Sequence, residues 1–141
     1  MKQDTSRNMN IIEEINLPNG LKLTIADLSR RIAADTKKVE LTFSMKIDVL
    51  ESFFSSADEY RTLVNIFGTE LTYEHRLERT FVYDKDESAV RTELLDTFKK
   101  NTLNYLASPN FAKKLALSTL RDIKLNPFKY QAKNNSPETD E

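Results

Sequence analysis

His75 is the single histidine of the 141-residue chain, which has no cysteine. Histidine is the side chain whose ordinary pKa lies nearest neutrality, so His75 is the first candidate for a general base. In "LTYEHRLERTFVY" (71–83) the alternate residues Leu71, Tyr73, His75, Leu77, Arg79, Phe81 and Tyr83 share one face of a strand. That face is the apolar one, and it carries His75 and Arg79 inward. His75 could serve as a base or ligand contact in a pocket. The plainer alternative is a histidine at the core rim with one ring nitrogen hydrogen-bonded. An inward arginine needs an anion, because burying an unpaired charge is costly. A ligand carboxylate or phosphate would answer. So would Glu93 or Asp96 on a covering helix, or a guanidinium that snorkels outward.

The second concentration of reactive types is "DLSRRIAADTKK" (27–38). Arg30, Arg31, Lys37 and Lys38 stand there against Asp27 and Asp35, with Lys22 nearby. The stretch joins two expected strands, yet it is longer than a tight hairpin needs. A basic loop of this kind could grip a phosphate, a nucleotide or a nucleic-acid backbone. It could equally be a solvated connection, and Ile32-Ala33-Ala34 are apolar enough to fold back and extend the sheet. Asp27-Leu28-Ser29, leaving a strand, resembles part of the Asp/Asn-x-Ser-x-x-Gly motif of PilZ domains. That resemblance implies a β-barrel that binds cyclic diguanylate. Here Ile32 holds the motif's glycine position, and no Arg-x-x-x-Arg element precedes Asp27. The likeness is not adopted as an assignment, and it keeps nucleotide binding only as a second reading.

Other chemistries are excluded by residue type. Without cysteine there is no disulfide, thiolate metal site or cysteine nucleophile. One histidine lacks the partners of a triad or a zinc site. Two glycines are too few for a phosphate-cradling loop. The net charge of -1 gives no support to generic nucleic-acid binding. Asp84, Asp86 and Glu87 cluster at an expected helix start, where they act as caps rather than as a glycosidase pair.

The elements that must position these residues follow from periodicity. Pro18-Asn19-Gly20 predicts a turn, and Leu21, Leu23 and Ile25 a strand after it. In "KVELTFSMKIDV" every odd position from Val39 to Val49 is apolar, which predicts a long strand with Glu40, Thr42, Ser44, Lys46 and Asp48 on its wet face. Ser56 and Glu59 have capping-box spacing, and Tyr60, Leu63, Val64 and Phe67 recur at helical intervals up to Gly68. A helix over about 57–67 and a strand over about 70–83 result. One long helix is expected from Asp84 to about Leu106. A last one, capped by Ser108-Pro109, should run to about 124, where Pro127 stops it.

The expected fold class is α+β in the order β-β-α-β-α-α. A mainly antiparallel sheet of about three strands carries two long C-terminal helices on one face. Residues 1–10 are expected to be a disordered N-terminus, 11–128 a single domain and 129–141 a disordered acidic tail. With no apolar run long enough to span a membrane and no secretory h-region, a cytoplasmic location is expected. The pattern points away from an enzyme, with no catalytic residue, metal or cofactor assigned. It points toward a protein-interaction or self-association module, with a homodimer or a protein partner. The alternative is a sensor of a small anion or nucleotide, using Arg30, Arg31 and Lys38 with His75 and Arg79.

Overall fold

The computed structural model describes residues 10–130, which form two compact units. Residues 10–45 and 72–108 make the first; residues 46–71 and 109–130 make the second. The fold is α+β with an antiparallel sheet, and the sheet has five strands rather than about three. They are β1 (Asn10–Asn16), β2 (Lys22–Asp27), β3 (Arg30–Arg31), β4 (Thr36–Asp48) and β5 (Glu70–Tyr83). The order is β1-β2-β4-β3, with β5 also paired to β4. The helices are α1 (Ala57–Phe67), α2 (Glu87–Asn101), α3 (Leu103–Leu106) and α4 (Phe111–Leu125). Among the described residues no helix is long and apolar enough to cross a membrane.

Two strands went unrecognised in the periodicity, for different reasons. β1 is "NIIEEIN", whose alternation is broken by a register shift between Ile11 and Glu13. β3 lies inside the supposed long connection. Its pairs Arg30↔Lys38 and Arg31↔Lys37 continue the register of Asp27↔Leu41, so β2 and β3 are one hairpin arm interrupted at Leu28-Ser29. The true tip is only Ile32–Asp35, closed by Ile32 and Ala33 N–H groups on the Thr36 carbonyl. The expected tails at 1–10 and 129–141 lie mostly outside the described residues. Of the described part, Asn10 opens β1, and Tyr130 is buried.

In the first unit β4 is the spine. Val39, Leu41, Phe43 and Met45 are buried, as their alternation requires, together with Leu23 and Ile25 of β2. α2 lies against this row, and the Phe98 ring stacks on Phe43 at 3.7 Å between centroids. The opposite row of β4 is not uniformly wet. Glu40 and Thr42 are buried, because neighbouring strands and their arginines cover that face too. The expected single helix from Asp84 is divided: a 3-10 turn covers Asp84–Asp86, and Thr102 separates α2 from α3. Asn19 in the Pro18-Asn19-Gly20 turn donates to the carbonyls of Leu106 and Ser108, at 2.9 and 2.8 Å, satisfying acceptors left where α3 ends.

In the second unit α1 begins where its capping signal placed it. Ser56 Oγ accepts from the Glu59 N–H at 3.2 Å, and the Glu59 carboxylate reaches back to the Ser55 N–H. Gly68, at φ +82°, ends the helix. α4 packs with α1 here, through Ala116, Leu120 and Ile123 with Leu63. α2 covers the sheet of the first unit, and α4 builds the core of the second, where Val49 and Leu71 join it. α4 starts at Phe111 with no side-chain cap, so Ser108-Pro109 is not its cap. Asp122 accepts from Tyr130 Oη and from Asn126, and the Tyr130 bond in particular holds its carboxyl below the usual range.

Phe43→Ala should cost about 3–5 kcal/mol, since it removes a fully buried ring from a stack. Lys46→Ala on the same strand should stay within about 0.5 kcal/mol. Urea unfolding of both variants checks the contrast.

Candidate interaction surface

Every cation singled out in the sequence already faces a carboxylate. Arg30 Nη1 meets Glu40 Oε1 at 2.8 Å, and Arg31 meets Asp84 at 3.2 Å. Lys37 meets Glu87 at 2.7 Å and Lys38 meets Glu78 at 3.1 Å. Arg79 does not enter the core; it is half-exposed and pairs with Glu93 at 3.7 Å, one of the two acids suggested for it. An anion at the basic segment would have to displace a carboxylate at each position. Asp84 and Glu87 thus act as partners of the hairpin, while Asp86 holds the N-cap position of α2 without a side-chain capping bond. Asp27 and Ser29 are likewise occupied: Asp27 accepts from the Ser29 N–H and from Arg91, while Ser29 Oγ accepts from the Glu40 N–H.

Glu40 is the buried acid of this network, at 3% exposure. Arg30 from β3 and Arg76 from β5 hold one carboxylate oxygen each, the latter at 3.1 Å. Such two-sided pairing is what allows a charge to stay buried. A second chain of charges runs Lys37–Glu87–Arg91–Asp27 and joins the hairpin to α2. The Lys37 hydrogen bond, with Arg91, holds the Glu87 carboxyl below its ordinary range.

His75 is exposed at its edge, with its ring 5.9 Å from Phe98 and 6.4 Å from Phe43. Among the described residues it has no hydrogen-bonded acid or hydroxyl, so the structure does not assemble a base with an orienting partner there. Nor does it bring His75 together with Arg30, Arg31 or Lys38 through any hydrogen bond or ion pair. No group of metal-ligating side chains occurs among the described residues.

The residues that sequence reasoning missed lie at the end of β5. Phe81 and Tyr83 were expected inward, yet they are 75% and 53% exposed, and Val82 between them is buried. The cause is Phe81 itself, whose φ of +57° puts a bulky residue in the left-handed region. One residue in that conformation kinks the strand and reverses its alternation. Simple period-two reasoning has no signal for this, because it assumes an unbroken pleat. Beyond the kink the Asp84 N–H donates to the Asp35 carbonyl at 3.2 Å, and an open cavity of about 310 Å³ is lined by Asp35, Tyr83, Asp84 and Lys85.

The rest of β5 is an exposed edge. Among the described residues it pairs with β4 alone, and most of its residues are exposed, including those on both faces around Arg76. Glu40–Arg76 and Lys38–Glu78 step along β4 and β5 in opposite senses, as in antiparallel partners. The Leu28 N–H donates to the Glu40 carbonyl, so even-numbered residues of β4 turn their main chain toward the hairpin arm. Odd-numbered residues then face β5. By the same alternation Thr72, Glu74, Arg76, Glu78 and Thr80 direct their N–H and C=O groups to the open side. Comparison with protein-family models, curated proteins and solved structures finds no match.

Glu87 supplies a pH test. A carboxyl with a depressed folded pKa stabilises the fold above its unfolded value, 4.5, and loses that contribution as pH falls through the folded value. Glu87→Gln should therefore be less stable than the parent at pH 7, with the difference shrinking toward pH 3. Denaturant melts at the two pH values check this.

Proposed function

We propose that this chain is a non-enzymatic protein-interaction or self-association module, and that it associates through the open edge of β5. The observation that carries this is the long strand with one side unpaired among the described residues, ending in a kink that presents Phe81 and Tyr83. An unpaired edge is a template for another strand, and proteins ordinarily shorten, charge or cover it. β1, the other edge, is defended by its register shift and by Glu13–Lys99 and Glu14–Lys22 pairs. Main-chain bonding along an edge supplies affinity, and flanking aromatic rings supply contact area. Bulky residues in left-handed conformations store strain, and such strain concentrates at working surfaces. A cytoplasmic location belongs to the same proposal and rests on the cysteine-free composition.

Glu74→Pro tests the edge. It deletes one N–H on the open side, where proline is tolerated, and leaves the pairing with β4 intact. Sedimentation of the pure chain and affinity capture from extract should both lose association in this variant. Unchanged behaviour in both would refute the proposal.

Phe81→Gly tests the strain. Relief of the left-handed penalty, about 1–2 kcal/mol, outweighs the roughly 0.5–1 kcal/mol entropic cost of glycine. The variant should unfold at the same temperature or a few degrees higher, yet associate more weakly. Calorimetry and sedimentation of the same samples read the two effects.

A further inference from the structure

Resting on the edge reading above, we infer that the occupant of the β5 edge is a second copy of this chain, paired antiparallel about a two-fold axis at His75. The inference comes from charge. The outer row of β5 reads Thr72, Glu74, Arg76, Glu78, Thr80, an acid-base-acid alternation centred on Arg76. In an isologous antiparallel pair the strand meets its own sequence reversed. An axis at Arg76 sets Arg76 against Arg76 and Glu74 against Glu78, and like charges directly opposite are destabilising. An axis at Leu77 also opposes Arg76 to Glu78, but it draws on the acid already paired with Lys38, sets His75 against Arg79 and runs the pairing through the kink at Phe81.

An axis at His75 avoids all of this. Glu74 of each copy faces Arg76 of the other, twice over. Tyr73 faces Leu77, also twice, and Glu78 faces Thr72. The overlap covers residues 70–80 and stops just short of Phe81. Glu78 keeps its Lys38 partner, and Arg76 keeps Glu40 through Nε. What changes is the long Arg76–Glu74 contact within one strand, at 3.5 Å, which is exchanged for a direct cross-strand pair. The main-chain geometry agrees. Even-numbered residues face the open side, so Glu74 and Arg76 fall in hydrogen-bonded pairs and His75 meets its own copy in a non-hydrogen-bonded pair. Facing Cα atoms are about 4.5 Å apart there, within the range a disulfide spans.

The absence of native cysteine makes the register measurable. A single introduced cysteine can be bridged only between copies. Mild oxidation of the purified full-length His75→Cys variant should give a covalent dimer. Thr80→Cys, whose two copies would lie about 30 Å apart in this register, should remain monomeric on a non-reducing gel. Glu74→Arg places arginine against Arg76 of the second copy. It should shift the dimer constant at least tenfold toward monomer without lowering the melting temperature. Cross-linking of Thr80→Cys as fast as His75→Cys, or indifference to Glu74→Arg, would overturn the assignment. A purified chain that stays monomeric while capturing another protein in a Glu74→Pro-sensitive way would overturn the second copy and leave the edge reading standing. No edge-dependent association of any kind would overturn both.

Discussion

Burial of β4 on both faces is the constraint to which the first unit answers. Its apolar row gathers Leu23 and Ile25 beneath α2, with Phe98 stacked on Phe43. Its other row carries Glu40, a carboxylate nearly out of water. A buried charge is tolerated only with close counter-charges and hydrogen bonds. Arg30 and Arg76 provide them, and they come from the strands on either side of β4. One acid thus ties the hairpin arm to β5. A shift of either strand by one residue would turn its arginine to the opposite face and leave Glu40 without that partner.

The same economy explains the basic segment. Its cations are neutralised within the unit by acids from β4, β5 and the start of α2. The charges that looked free along the chain are cross-links between elements, holding a hairpin whose tip is only Ile32–Asp35. What is left open is main chain. β5 offers hydrogen-bonding groups on its far side and ends in a strained kink with two rings in water. Main-chain groups and aromatic surface of this kind are what the proposed association would use.

Much of the fold was legible from rhythm. α1, bounded by Ser56 and Gly68, lies where its spacing put it, and β5 occupies the interval expected for it. The buried row of β4 is the alternate set from Val39 to Val49. The failures have physical causes. β1 was missed because its register shift breaks the alternation. β3 was missed because two charged residues carry no periodicity, and their strand character comes from Lys37 and Lys38 opposite. The helix after Asp84 was drawn too long, since Thr102 gives no strong local stop. The surface around Phe81 could not be read from rhythm, because a single backbone angle there reverses the facing of Val82 and Tyr83.

Sequence by itself determined which side chains must leave water and at what interval, and hence the kinds of element and most of their bounds. Hydrophobic period is a local property, set by 3.6 or 2 residues per repeat wherever the chain goes. Tertiary structure alone decided which charges meet, which face of β4 is covered twice, which helix joins which unit and which edge stays open. Those outcomes depend on residues far apart in the chain, such as Arg31 with Asp84 or Asn19 with Leu106. Pairing energies act through space, and no interval along the chain encodes them.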